Sequence, residues 1–460
     1  MFNYIARRLL LMVPTLLGIT IVVFVVMVSA PGGITARSLV EVQDLEPETR
    51  KALEDYYNKL YGLDQPAPMQ YFRWLNNVSP VGFTLDEHNK INGFSFTKGI
   101  DLGRSFTYGR PVTELLYERV PITLLLNIIA IPIIYLIAIT IGVRAATRRG
   151  ESFDVSSSFI MLALWSIPTM LAGVLLMGYF ASDQYWRWFP TTGLSYREAF
   201  DMPFLPHWSN MWDPVKLILF AMLGGFGLTI LSQRLSAKQR AILMALIGGI
   251  LGWLMAQASA IEAGMTMQVL FALTLGLLGY ALGAMQYQSF RTITIGMLGM
   301  FLGAGIAAAT FQGDFVRGFL VDRIWHLTLP IICFTYGGFA FLSKLSRTAI
   351  LENLLSDYAR TARAKGVREH DVLWRHVFRN SLLPLITVSA TLLPSLLSGS
   401  VIVEHIFSID GMGKLAVQAV QSRDRELVLS ITLISGVLTL IGYLIADVCY
   451  AIADPRISYE

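Results

Sequence analysis

Long apolar runs alternate with short polar gaps along this chain. The first, Leu9 to Ala30, holds no ionisable residue, and at 1.5 Å rise per residue it covers the roughly 30 Å hydrocarbon core of a bilayer. Similar runs near 120–143, 155–181, 215–231, 241–261, 266–286, 292–311, 327–343, 384–403 and 428–447 predict ten membrane-spanning helices in all. Arg7 and Arg8 ahead of the first run have the look of a secretion signal. The run is too long for one, however, and Ala30-Pro31-Gly32 is a poor cleavage site. It is therefore expected to remain as the first helix.

An even number of spans puts both termini on one side. Lys and Arg in short gaps mark the cytoplasmic side. Arg7 and Arg8, then Arg144 with Arg148 and Arg149, then Arg234 with Lys238 and Arg240, then Arg291 fall in alternate gaps. One assignment fits them all: termini inside, residues 31–119, 182–214, 312–326 and 404–427 outside, and 344–383 inside. The segment 31–119 is mixed in charge and carries turn signals such as Asp101-Leu102-Gly103, as a small extracytoplasmic cap would. Tyr185, Trp186, Trp188, Phe189, Trp208, Trp212 and Trp325 gather at the predicted outer boundary, where aromatic rings sit favourably.

Composition agrees with a membrane protein, since 54% of residues are hydrophobic and 15% charged, against about 25% charged in soluble domains. The net charge of +4 shows no basic stripe for nucleic acid. Cys333 and Cys449 are far apart in apolar runs, so neither a disulfide framework nor a CxxC site is present.

The segment from Lys344 to Leu383 is too long and too rich in both charges to be a simple turn. Leu354, Leu355, Tyr358 and Ala362 recur at helical spacing, Gly366 interrupts, and Val372, Leu373, His376 and Val377 resume before Pro384 opens the next span. The expectation is helix, Gly break, helix at the membrane face. A basic loop held to anionic lipid is the plain alternative, worth about 1 kcal/mol per cation.

The run Asp357-Tyr358-Ala359-Arg360-Thr361-Ala362-Arg363-Ala364-Lys365-Gly366, followed by Arg375-His376-Val377-Phe378-Arg379-Asn380-Ser381-Leu382-Leu383-Pro384, resembles the cytoplasmic coupling loop of ABC importer permeases, more narrowly the dipeptide, oligopeptide and nickel branch. Arg360-Thr361-Ala362 stands where the wider family has Glu-Ala-Ala. Further blocks match in order: Tyr4 to Leu10, Gly62 to Pro66, Asp101 to Ser105, Arg110 to Val112, Glu118 to Leu124, His326 to Pro330, Val401 to Phe407, Asp410 to Leu415 and Asp454 to Arg456. The resemblance covers 1–206 and about 317–460. It implies an all-α polytopic membrane protein with a six-helix importer permease core, to which the apolar runs add about four inserted transmembrane helices.

The domains expected are a first helix (1–30), the cap (31–119), core helices 2 and 3 with their outer loop (120–206), an inserted four-helix segment (207–316), and core helices 4 to 6 with the coupling loop 344–383 (317–460). The insertion must leave and return outside for the coupling loop to stay cytoplasmic, so Pro206 and Asp314 should lie near each other. Of the chain's 38 glycines, 14 fall between 215 and 311. Gly279-xxx-Gly283 and Gly299-xxx-Gly303 are spaced for close packing of helix backbones, among themselves rather than with a second copy.

None of the ten runs places an ionisable residue near its middle, and Asn127 is polar only. Proton-coupled carriers commonly need intramembrane carboxylates or histidines, so an ion-coupled carrier is the lesser reading. An intramembrane enzyme is lesser still, because no HExxH or GxSxG occurs. Gly411-Met412-Gly413-Lys414 lacks the earlier Gly and following Ser/Thr of a Walker A loop.

The resemblance thus implies a bacterial inner-membrane permease with no catalytic residues, no metal and no cofactor bound directly. ATP would be hydrolysed by two partner ATP-binding subunits. A second permease and an extracytoplasmic solute-binding protein complete the set of partners, with membrane lipid around it and peptides or related small solutes as cargo. The residues implied for coupling are Tyr358, Arg360, Thr361, Ala362, Arg363, Ala364, Lys365, Gly366, His376, Asn380 and Pro384.

Overall fold

The computed structural model describes residues 2–29, 64–85, 91–258, 264–285, 288–397 and 401–453, with scattered positions between 48 and 58. Ala30-Pro31-Gly32, much of the expected cap before Asp64, and the Asp454-Pro455-Arg456 block lie outside these residues. Two compact units are present, one made of 1–172 and 330–460, the other of 173–329.

In the first unit, α1 (Phe2–Ser29) and α2 (Ala67–Val78) are followed by a hairpin of β1 (Gly82–Leu85) and β2 (Ile91–Ser95). Helix α3 (Val112–Thr147) is 36 residues long, on the order of 54 Å, and so extends well beyond the expected 120–143. The expected span 155–181 is not one rod. It divides into α4 (Ser152–Ser166) and α5 (Thr169–Phe180), bent by 93°. The cause is Pro168, which pushes the preceding residue out of helical conformation; Ile167 is extended, with ψ 122°.

Helix α10 (Gly318–Leu354) reaches past the expected 327–343 into the coupling segment. Then come α11 (Asp357–Ala364), a π-helical turn at Val372–Val377, and α12 (Phe378–Leu397). Pro384 therefore lies inside α12 and does not open it. Short α13 (Val401–Ile406) and α14 (Met412–Gln421) precede α15 (Arg425–Ala453), which packs along α1 and α12.

Apolar side chains gather in layers along these helices. Toward the predicted outer end, Phe24, Tyr71, Trp74, Leu115, Met412, Leu415 and Leu427 pack together, joining the cap helix α2 to α1, α3, α14 and α15. In the middle, Ile134 and Ala138 meet Leu342 and Leu385. Near the coupling segment, Val143 and Ala146 meet Ile350, Ala359, Ala362, Val372 and Val377.

In the second unit, α6 (Trp212–Arg234), α7 (Ala237–Ala258), α8 (Met265–Ala284) and α9 (Gln288–Ala308) are apolar almost all round. Helix α6 packs along α9 and α7 along α8, whereas α6 and α7, joined only by Leu235 and Ser236, do not pack side by side. The expected small-residue contacts are internal. Gly299 and Gly303 sit against the backbone of Gly224 and Phe220, and Gly279 and Gly283 against that of Met244 and Arg240, where any side chain would collide.

Strands β3 (His207–Trp208) and β4 (Phe315–Val316) pair antiparallel, and Ser209 N–H donates to Asp314 O at 3.1 Å, so the two ends of the segment meet as expected. The aromatic residues of this unit pack on one another, Trp186 stacked on Trp188 and Phe189 on Trp325, and Trp208 tilted against Phe315. Trp186 also meets Phe271 of α8, 5.8 Å between ring centres.

Eight helices among the described residues are long and apolar enough to cross a bilayer, namely α1, α3, α6 to α9, α10 and α15; the bent pair α4–α5 makes nine if it counts as one crossing. The remaining expected run, 384–403, is helical over Phe378–Leu397 and is not among them.

Candidate functional site

The segment expected to couple, Asp357–Ala364, is an eight-residue helix pressed against the long helices by two alanines. Ala359 and Ala362 are buried among Ile350, Val143 and Ala146, while Tyr358, Arg360, Thr361, Arg363, Ala364 and Lys365 are exposed. Small residues on the inner face let α11 lie close, and Arg360 is turned out, its side chain 70% exposed. Asp357 in the first turn suits the positive end of the helix dipole.

Gly366 ends the helix with φ +78°. Its N–H bonds Arg363 O at 2.9 Å and Val367 N–H bonds Ala362 O at 3.2 Å, the closure in which a left-handed residue just past the helix satisfies the last carbonyls. Across that turn Arg363 grips Glu369 with Nη2 at 2.8 Å and Nε at 3.0 Å, while its Nη1 donates to Leu354 O at 3.2 Å. These hydrogen bonds hold the Glu369 carboxyl below its usual range, against the effect of burial.

His376 and Asn380 are exposed, and Pro384 is half-buried in α12. Thus Tyr358 to Gly366 form one outward-facing element, with Ala362 as its anchor. His376, Asn380 and Pro384 stand on the following π-turn and helix. Asn353 binds these pieces together. Its amide donates to Ser381 Oγ of α12 at 3.1 Å and to Ala349 O of α10 at 2.8 Å, and its oxygen accepts the Tyr358 hydroxyl. A second tie, Arg347 to Asp154, joins α10 to the start of α4 with two hydrogen bonds.

At the predicted outer end, three ordered sequence blocks converge. Glu404 is fully buried and accepts from Thr123 Oγ1 at 3.0 Å and from Lys414 N–H at 2.9 Å, while Thr123 Oγ1 accepts Met412 N–H. Burial pushes this carboxyl above its usual range. A side chain at Gly411 would strike the Glu404 carboxyl at 2.5 Å. The Gly411-Met412-Gly413-Lys414 run that resembles a phosphate loop is therefore wrapped around a carboxylate of its own chain.

Beside it, Asp410 pairs with Arg119 at 3.1 Å and Lys414 at 3.0 Å. Asp424 takes Ser105 Oγ and Thr107 N–H, which ties the Asp101–Ser105 block to the start of α15. Glu404, Asp424 and Asn353 carry no spacing motif. Glu404 lies in the Val401 to Phe407 block and Asp424 just ahead of an apolar run, but neither position names its partner, and Asn353 lies inside the polar segment 344–383 with no signal of its own.

The family described as binding-protein-dependent transport system inner membrane component matches residues 290–459, and the N-terminal part of the same membrane component matches residues 1–127. Among similar proteins, the oligopeptide transport system permease protein AppB of Bacillus subtilis is 28% identical over 460 residues, covering all of both chains. The peptidoglycan transport system permease protein YejB of Agrobacterium fabrum is 24% identical over 99% of this chain and 98% of that protein. A peptide transport system permease protein of Brucella suis is 26% identical over 99% of each. These relatives are transport components rather than enzymes. The chain belongs to the binding-protein-dependent ABC transport permeases, within the peptide importer branch.

Proposed function

We propose that this multi-pass inner-membrane permease forms half of a translocation path for peptides and is driven through α11 by separate ATP-binding subunits. A second permease supplies the other half, and an extracytoplasmic solute-binding protein delivers the cargo. The relatives named for oligopeptides and peptides support the cargo class. The observation that carries the coupling role is the build of α11, a short helix anchored by Ala359 and Ala362 with its charged residues turned outward. Such an element can seat in a groove of a partner and pass a displacement on as a rigid body.

Ten crossings with both termini cytoplasmic is the topology that goes with this role. It is supported by Arg234, Lys238, Arg240 and Arg291 at one end of α6 to α9, and by Trp186 resting on Phe271 near the other. In the assembled transporter, a cysteine at Arg360 should crosslink to an ATP-binding subunit, and Gly366→Val should abolish uptake and cargo-stimulated ATP hydrolysis while membrane insertion persists. Normal coupled activity in Gly366→Val, with no crosslink from Arg360, would remove the assignment.

A further inference from the structure

Four cations stand at one end of the inserted helices. Arg234 closes α6, Lys238 and Arg240 open α7, and Arg291 lies in the first turn of α9. Between Asp213 and Asp314, which both belong to the opposite end, the sequence has a single carboxylate, Glu262, and it follows the far end of α7. The segment thus offers these four charges no acid at their own end.

Arg234 and Lys238 are exposed, as solvated cations are, but Arg240 is only 7% exposed. The bare backbone of Gly283 lets the end of α8 lie directly on Arg240 and Ala241, and brings the Gly283 carbonyl to 2.7 Å from Arg240 Nε. Arg291 is half-buried and donates from Nη1 to Met285 O at 2.6 Å. Two guanidiniums therefore meet at the last carbonyls of α8, and capping them is the structural share of both. That share takes one N–H of each. The Nη groups of Arg240 reach the surface and make no hydrogen bond among the described residues, and the charge acting on Arg240 is a like one, from Arg291. A packed charge so placed is costly until an opposite one completes it.

Depth selects the ligand. The apolar run of α7 begins near Ala241 and that of α9 near Thr292, so each arginine is the last residue before hydrocarbon begins, at the level of lipid phosphates. A phosphodiester presents one negative charge on two free oxygens, which a guanidinium takes with parallel N–H bonds. We propose that Arg240 and Arg291 hold the phosphate of an anionic phospholipid at this end of α7, α8 and α9, with Arg234 and Lys238 adding attraction for the headgroup. A zwitterionic headgroup would bring its ammonium among four cations, and is disfavoured. The site rests on the four crossings of the topology above.

The test uses the purified assembly of permeases and ATP-binding subunits, stripped of lipid by detergent exchange, then given dioleoylphosphatidylglycerol or dioleoylphosphatidylcholine and weighed by native mass spectrometry. The unaltered protein should retain one phosphatidylglycerol more per copy of this chain than Arg240→Gln does, while phosphatidylcholine should not tell the two apart. Arg240→Lys keeps the charge without the fork and should fall between them. If Arg240→Gln fails to assemble, Arg291→Gln should lower phosphatidylglycerol affinity about tenfold. Equal retention by the assembled variants, or loss of both lipids together, would overturn the proposal. Displacement of the lipid by inorganic phosphate would do the same, by making this a site for a free anion. Side-specific labelling of Lys238→Cys scores the topology separately, because lipid retention in detergent does not depend on which side this end faces.

Discussion

At Gly366 the backbone takes φ +78°, yet a Cβ there would meet nothing within 4 Å. Strain, not crowding, is what selects glycine, at a cost of about 1–2 kcal/mol for an ordinary residue. Asn tolerates this conformation better than most. Cargo-stimulated ATP hydrolysis in liposomes should therefore fall in the order Gly, Asn, Ala, Val at this position, and an equal loss in all three variants would argue against a conformational role. The Arg363–Glu369 pair sets a pH window. Arg363 lowers the Glu369 pKa from its ordinary 4.5, and a carboxylate depressed in the folded state stabilises above its unfolded pKa and loses that contribution as pH falls through the folded one. Both side chains are more than a third exposed, so the effect is screened and small. A spin label at Lys365 should keep one mobility from pH 8 to 5 and loosen only below the ordinary carboxylate value. Loosening near pH 6 would point to a different group.

Helices α10, α11 and α12 meet at Asn353, whose amide bridges Ala349 and Ser381 while its oxygen holds Tyr358. Asn353→Leu removes all three links while keeping the same branched shape, so ATP hydrolysis should persist while uptake per ATP falls severalfold; unchanged coupling would place the transmission elsewhere. At this scale the sequence was readable wherever lipid does the selecting. A run that must be apolar on every side announces itself, which is why α1 and α6 to α9 fall where hydropathy puts them. The break in α4–α5 was missed because hydropathy is blind to direction, although Pro168 was the available sign. Pro384 misled in the opposite sense. A proline can sit within a helix whose preceding turns are already built, and α12 begins six residues earlier at Phe378. The Glu404 cradle was not readable, since Thr123 is 281 residues away in sequence and Gly411 to Lys414 imitate a loop for a different anion. The segment expected to couple was legible as a helix ended by Gly366. Its anchor was legible only in part, because Ala362 falls on the helical stripe but Ala359 does not, while Tyr358 of the same stripe is exposed.

Across the whole molecule, residues 207–316 begin and end on the paired strands β3 and β4. Replacing 208–316 by a short polar linker should leave the remaining topology and peptide uptake in place, because the gap to be bridged is only the spacing of two hydrogen-bonded strands, about 5 Å. Loss of uptake from a deletion shown to assemble would place α6 to α9 in the path or its gating. A cysteine in the 232–240 loop should react only from the cytoplasmic side, and reaction from outside would break the four-crossing arrangement. The meeting of the two ends has a consequence for ancestry as well as for engineering. A stretch of chain that enters and leaves at one point and, on the proposed topology, crosses the bilayer an even number of times can be gained, lost or exchanged between genes in a single recombination event without inverting anything downstream.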